Sequence, residues 1–213
     1  MYGMEPFISS IIETAKGFLM EPVETFQKNR ETSLAKSFQY YAALVVFYAI
    51  LISIVEGIML FLGGFPEASE YPFLGGIMGM ATTVFVLLLF VFVILACLTG
   101  IFFKGAFQHI FVLLFGGECG IAQTLKTGMF AATPVLTLGW IPIVNIIAAI
   151  WSIVLMVIGI RELHNMSTGA SAAAVLLPIV FGLVIGFLIV LFFIALALGI
   201  GVGLVEMAEL FEV

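Results

Sequence analysis

One acid stands inside a long apolar run. Glu56 lies about two-thirds of the way along Gln39–Leu62. An ionisable residue in such a place marks an ion or proton pathway by default. It could also snorkel to a nearby surface or bond another helix, and no second acid lies deep in an apolar run to partner it. Gln123, Lys126, Asn145 and Ser152 are further polar points in or near two later runs. They could line a path, or tie helices together through hydrogen bonds worth about 0.6 kcal/mol each. The second use is favoured. His109 and His164 have no companions at metal-ligand spacing, so no metal is expected. The chain has thirteen Glu and no Asp, and it contains no HExxH and no GxxxxGK[ST]. With no catalytic constellation legible, the expectation is a non-enzymatic protein without cofactor.

The elements that hold these residues follow from composition. Hydrophobic residues make up 63% of the chain and charged residues 9%, with a mean hydropathy of +1.31. A soluble domain is nearer 45–50% apolar and ~25% charged. The apolar excess is continuous rather than alternating, so lipid is the solvent and helices are the spanning structure. The net charge of −6 and the absence of a basic patch argue against nucleic acid. Cys97 and Cys119 fit no CxxC or disulfide framework. The start of the chain lacks the basic and apolar regions of a cleavable signal.

Along the chain, Phe7, Ile8, Ile11, Ile12, Ala15, Phe18 and Leu19 recur at helical spacing. They predict an amphipathic helix on the membrane surface or packed on the rest of the protein. It belongs to a cytoplasmic segment, residues 1–38, in which Ser33 can cap the next helix. The membrane domain is residues 39–205. Its first span is about 39–62, ended by Gly63-Gly64-Phe65-Pro66. The second is about 75–103, with an extension to 115 that places Lys104, Gln108 and His109 at or beyond the interface. The third is about 121–138, the fourth 141–163 and the last 172–204. Residues 206–213 form an acidic tail.

Thr127–Ile160 decides the span count, because it holds no charged residue or His over 34 residues. One helix would be about 51 Å long, with Pro134 and Pro142 inside it. As a hairpin it turns at Gly139-Trp140. Pro142 then sits in a first helical turn and Pro134 kinks the preceding helix. Five spans put all seven basic residues on the N-terminal side, which the positive-inside rule makes cytoplasmic. The C-terminus is then outside, with Glu67, Glu70, Glu206, Glu209 and Glu212. The fold expected is all-α: five transmembrane helices and an N-terminal interfacial helix. Gly75/Gly79, Gly182/Gly186 and Gly199/Gly203 form GxxxG pairs suited to close helix approach. Packing within the monomer is the favoured use, and self-association or pairing with other membrane proteins the alternative.

The polar punctuation has a recognisable order. It runs Pro22-Val-Glu24-Thr25-Phe26 before span 1, then His109 and Gly116-Gly117 after span 2. Gln123-Thr124-Leu-Lys126 opens span 3, with Phe130 and Pro134 inside it, followed by Ile141-Pro142 and Trp151. Gly159-Ile-Arg161-Glu162-Leu-His164-Asn-Met166-Ser167-Thr168 precedes span 5. This resembles the Yip family, the Ypt/Rab-interacting proteins, in its prokaryotic branch. The resemblance implies five spans with the N-terminus inside and, in eukaryotic members, a role in vesicle traffic with Rab GTPases. The Asp-Leu-Tyr-Gly-Pro motif of those members has no counterpart in a chain without Asp. Their Gly-Tyr is at most Gly128 with Phe130 nearby. Both departures argue against a Rab partner and for a prokaryotic cell-membrane protein. The expected role is a membrane-organising or trafficking-related scaffold; the alternative is a small transporter or channel using Glu56 and the polar residues of spans 3 and 4. The scaffold's contact face would be cytoplasmic, where Gln123–Lys126 meets Arg161, Glu162 and His164.

Overall fold

The computed structural model describes residues 4–62 and 72–211, with side chains in the last helix described to residue 196. The expected break at Gly63-Gly64-Phe65-Pro66, Glu67, Glu70 and Glu212 lies outside the described residues. So do the side chains of Glu206 and Glu209 and the Gly199/Gly203 pair. Every described element is helical: α1 Met4–Met20, α2 Pro22–Lys28, α3 Leu34–Leu62, α4 Pro72–Leu114, α5 Ile121–Ala131, α6 Thr133–Leu138, α7 Val144–His164 and α8 Thr168–Phe211.

The helix boundaries follow from local chemistry. Pro22 opens α2, where a missing N–H is harmless. Ser33 caps α3 by accepting from the Lys36 N–H at 3.3 Å. Gly116 at φ 89° and Gly120 at φ 78° turn the chain between α4 and α5, in the left-handed region open to glycine. Asn165 ends α7 in the same region at φ 56°, and its N–H bonds the Arg161 carbonyl.

Four helical segments are long and apolar enough to cross a membrane: Leu34–Leu60, Gly75–Leu114, Val144–His164 and Thr168–Leu196. This is an all-helical membrane protein. The stretch expected as a third span is broken instead. α5 has 11 residues and α6 has 6, with the break at Ala132 just before Pro134. The hairpin turn also differs from expectation. Pro142 stands outside α7, which begins at Val144 after Ile143 adopts φ 72°. A proline disfavours helical geometry in the residue before it, so Ile141 cannot start the helix. Ile143 then makes the reversal in a conformation unusual for a β-branched residue.

The core lies toward one end of the bundle. Its buried residues come from the ends of α1 and α2, α3 as far as Ser53, the second half of α4, α5, α6, α7 from Ala148 onward and the start of α8. Among the described residues, none of α4 before Ile101 is buried, and every residue of α8 from Ile179 to Leu196 is exposed. Those arms are apolar but for Thr82, Thr83 and Thr99 of α4, as helices facing lipid are. Gly79, Gly182 and Gly186 meet nothing within 4 Å, so these GxxxG glycines do not pack helices inside the monomer. The close approaches are elsewhere. A methyl on Gly105 would collide with the Leu125 side chain.

α1 packs on the bundle rather than standing apart. Ala15 and Phe18 are buried, and Ile11 joins the same apolar cluster. Phe7, Ile8 and Ile12 remain exposed at its other end.

Two prolines inside the bundle each leave a carbonyl without its helical partner, four residues back. Both carbonyls are recovered by side chains. Thr133 Oγ1 donates to the Phe130 carbonyl at 2.6 Å, beside Pro134. Gln108 Nε2 donates to the Ala174 carbonyl at 2.7 Å, beside Pro178, and so ties α4 to α8.

Candidate functional site

α1, α2 and the turn to α3 form a cap over the ends of α5 and α7. Its polar centre is Lys126 of α5. The side chain is 4% exposed. Its ammonium donates to the carbonyls of Arg30 at 2.5 Å and Thr32 at 3.0 Å, just beyond α2. The carbonyls of that turn have no helical N–H to accept, and a cation is well placed among them. Burying a charge is unfavourable unless it is hydrogen-bonded; here the bonds serve to clamp the 30–32 turn to α5.

Around this clamp is a set of surface bonds. Gln27 donates to Glu162 at 2.9 Å, and Arg30 donates to Asn165 at 2.8 Å. Arg161 pairs with Glu162 at 2.7 Å and donates to it from Nε at 2.8 Å. Glu162 therefore accepts from its neighbour and from the cap at once. Asn165 also reaches Cys119 Sγ at 3.9 Å, which brings the α4–α5 loop to the same surface.

Behind the polar layer is an aromatic wedge. Phe26 of α2 is fully buried. It meets Phe18 edge-on at 4.8 Å between centroids, and Phe18 stacks on Phe130 of α5 at 4.7 Å. Such pairs add about 0.5–1.5 kcal/mol each beyond their buried area. Gly159 of α7 makes room for the wedge, since a methyl there would sit 2.6 Å from the Phe26 ring and from Thr127. The Tyr40 hydroxyl bonds Thr133 Oγ1 at 2.8 Å below.

His109 and His164, 55 positions apart in sequence, meet at one hydroxyl. Thr124 Oγ1 lies 2.8 Å from His109 Nδ1 and 3.0 Å from His164 Nε2. The ring centroids are 6.0 Å apart. A hydroxyl donates one proton and accepts others, so the three groups form a directed chain with one ring donating and the other accepting. His164 Nδ1 is buried without a partner. Among the described residues, no group of three His, Cys, Asp or Glu is placed to hold a metal ion.

The structure thus brings Lys126, Arg161, Glu162 and His164 to one end of the bundle. Gln123 lies beside them on α5, where its carbonyl accepts from Thr127 at 2.9 Å and its side-chain oxygen is buried without a partner. Glu56 and Asn145 lie elsewhere. Both are exposed, Glu56 on the outer part of α3 and Asn145 in the first turn of α7. They share no site with Ser152. Thr124, Phe26 and Gln108 carry much of the geometry, yet none is conspicuous as a lone sequence position. Only the recurrence of Phe26 and Thr124 in the punctuation quoted above draws notice to two of them.

The arrangement is suited to holding a cap in a fixed place. Its strongest bonds are made by a lysine to main-chain carbonyls and by the Gln27 amide and the Arg161 guanidinium to one carboxylate. Comparison with models of known protein families matches the Yip1 domain over residues 16–191. Nothing among curated proteins or solved structures matches the chain. The match takes in the cap from the last turn of α1, all of the bundle junction and a little over half of α8.

Proposed function

The chain belongs to the Yip1-domain family, and from that premise we propose that it is a non-enzymatic, five-span membrane protein acting as a membrane-organising scaffold. The observation that carries this reading is the Lys126 clamp, which fixes α1–α2 to the ends of α5 and α7. A docked cap of this kind gives the cell interior a shaped, rigid surface in place of a loose tail.

The five-span count takes α5 and α6 together as the third crossing. They run 18 residues, from Ile121 to Leu138, about 27 Å at 1.5 Å per residue, and they lie packed between α3, α4 and α7. All seven basic residues then share the cap side, which the positive-inside rule assigns to the cytoplasm. The membrane is a prokaryotic cell membrane, with the C-terminus outside. The exposed Phe7, Ile8 and Ile12 give α1 an apolar edge for the interface. A transport path through Glu56 lacks support, because that residue is exposed.

The contact face is tested by crosslinking in native membranes followed by mass spectrometry. Lys16 and Lys28 are exposed on the cap. The double variant Lys16→Glu/Lys28→Glu should fold normally and lose the crosslinks that the wild type makes to other membrane proteins from residues 1–38. Identical crosslinks in both chains would refute the assignment.

A further inference from the structure

A groove of about 640 Å³ lies in the bundle, between α3, α4, α5, α6, α7 and α8. Pockets of 300–1,000 Å³ are the size that takes small ligands. Along α4 it runs from Gln108 to Ala96, and the part below Lys104 is about 12 Å of helix. That is close to one leaflet's share of a hydrocarbon core about 30 Å thick.

Small residues create the space. Gly100, Gly128 and Ala131 line it where larger side chains would close it. A methyl on Gly100 would meet nothing within 4 Å. Pro178 lines the α8 side, and beyond it α8 leaves the packed core. The Gln108 bond to the Ala174 carbonyl holds α8 to α4 at the cap end, so the gap is maintained and does not simply collapse.

The chemistry is graded along the groove. At the cap end stands Lys104, exposed and without an ion-pair partner among the described residues. The deep end is apolar. There the Tyr41 hydroxyl is already committed to the Cys97 carbonyl at 3.0 Å, and Ser152 is the one free hydroxyl. That is too little polarity for a water path or a polar solute. A single cation at the membrane surface above an apolar slot one leaflet deep matches one class of ligand.

We propose that this groove binds one acyl chain of an anionic glycerophospholipid from the cap-side leaflet, with Lys104 meeting its phosphate. The site is separate from the cap surface and does not depend on the scaffold reading.

The test uses the full chain in nanodiscs with two photoactivatable lipids, a phosphatidylglycerol and a phosphatidylcholine, each with a diazirine midway along one chain. Crosslinked peptides are read by mass spectrometry. Phosphatidylglycerol should label the lining around Gly100, Met156 and Ile179 over the exposed arm around Phe187. Gly100→Phe fills open space, so it should leave the fold intact and lower groove labelling about tenfold while the arm is labelled as before. Lys104→Gln should lower the preference for phosphatidylglycerol over phosphatidylcholine about fivefold, the worth of one lysine near an anionic surface. Equal labelling of groove and arm, or groove labelling unchanged by Gly100→Phe, would overturn the site. An unchanged lipid preference in Lys104→Gln would overturn the headgroup assignment.

Discussion

Gly159→Ala is the most demanding substitution to predict, because two opposing effects are both large. Alanine is favoured over glycine inside a helix by about 1 kcal/mol. At this site the added methyl would stand 2.6 Å from two atoms of the Phe26 ring and 2.6 Å from Thr127 Cγ2. Carbon atoms pack at about 3.5–4.0 Å, so each contact is short by about 1 Å. Phe26 and Thr127 are both fully buried. Phe26 cannot retreat, because Phe18 closes on it at 4.8 Å and Phe130 at 6.2 Å. Overpacking of a tight core costs about 1–3 kcal/mol, and this site is at the upper end. The expected net loss is about 1–2 kcal/mol, or a melting temperature lower by about 2–8 °C at 2–4 °C per kcal/mol. The assay is thermal unfolding of the full chain in one detergent. Phe26→Leu in the same chain should give room for the methyl. The double variant should therefore lose less than the sum of the single losses, by about 0.5 kcal/mol or more. A Gly159→Ala chain that melts above the wild type would show that helix propensity wins and that the wedge is not tight.

Three further outcomes follow from the polar bonds. Gln108→Leu strands the Ala174 carbonyl in an apolar setting and should destabilise by about 1–3 kcal/mol; Pro178→Ala restores the missing N–H and should recover most of that loss in the same melting assay. Lys126→Met removes two charge-assisted bonds but also the burden of a buried charge, leaving a net loss of about 1–3 kcal/mol at the cap. Trypsin should then cut after Lys28 and Arg30 about fivefold to a hundredfold faster, with cleavage elsewhere unchanged. Thr124→Val keeps the shape and removes the hydroxyl that links the two imidazoles; the ring nitrogen signals of His109 and His164 should both move in NMR, and movement of one alone would contradict the shared bond.

The helical membrane architecture is legible in the sequence because it depends on long-run hydropathy. The extension of the second apolar helix to Leu114 follows from the same signal, whereas the reversal expected at Gly139-Trp140 runs on to Ile143, which no hydropathy signal marks. The convergence of Lys126 with Arg161, Glu162 and His164 at one end of the bundle is also readable, since the charge count groups the basic residues at the same helix ends. Their partners are not readable. Lys126 and Gln108 bond main-chain carbonyls at Arg30, Thr32 and Ala174, and a carbonyl carries no residue-type signature. The break of α5 from α6 is half visible: Pro134 predicts a kink, but the recovery of the Phe130 carbonyl by Thr133 needs coordinates. Packing within the monomer, the favoured use of the GxxxG pairs, is not seen at Gly79, Gly182 or Gly186. Glycine spacing permits close approach without requiring it, and Gly79, Gly182 and Gly186 face open space.

The central claim is a five-span bundle with its cap in the cytoplasm and the end of α8 on the other side. Single cysteines at Lys28 and at Glu209, in a chain with Cys97 and Cys119 replaced by serine, can be exposed to a membrane-impermeant maleimide in intact cells. The account predicts that Glu209→Cys is labelled at once and that Lys28→Cys is labelled only after the membrane is opened. Labelling of both positions from the same side would contradict it, and would mean that α5 and α6 enter the membrane without crossing it.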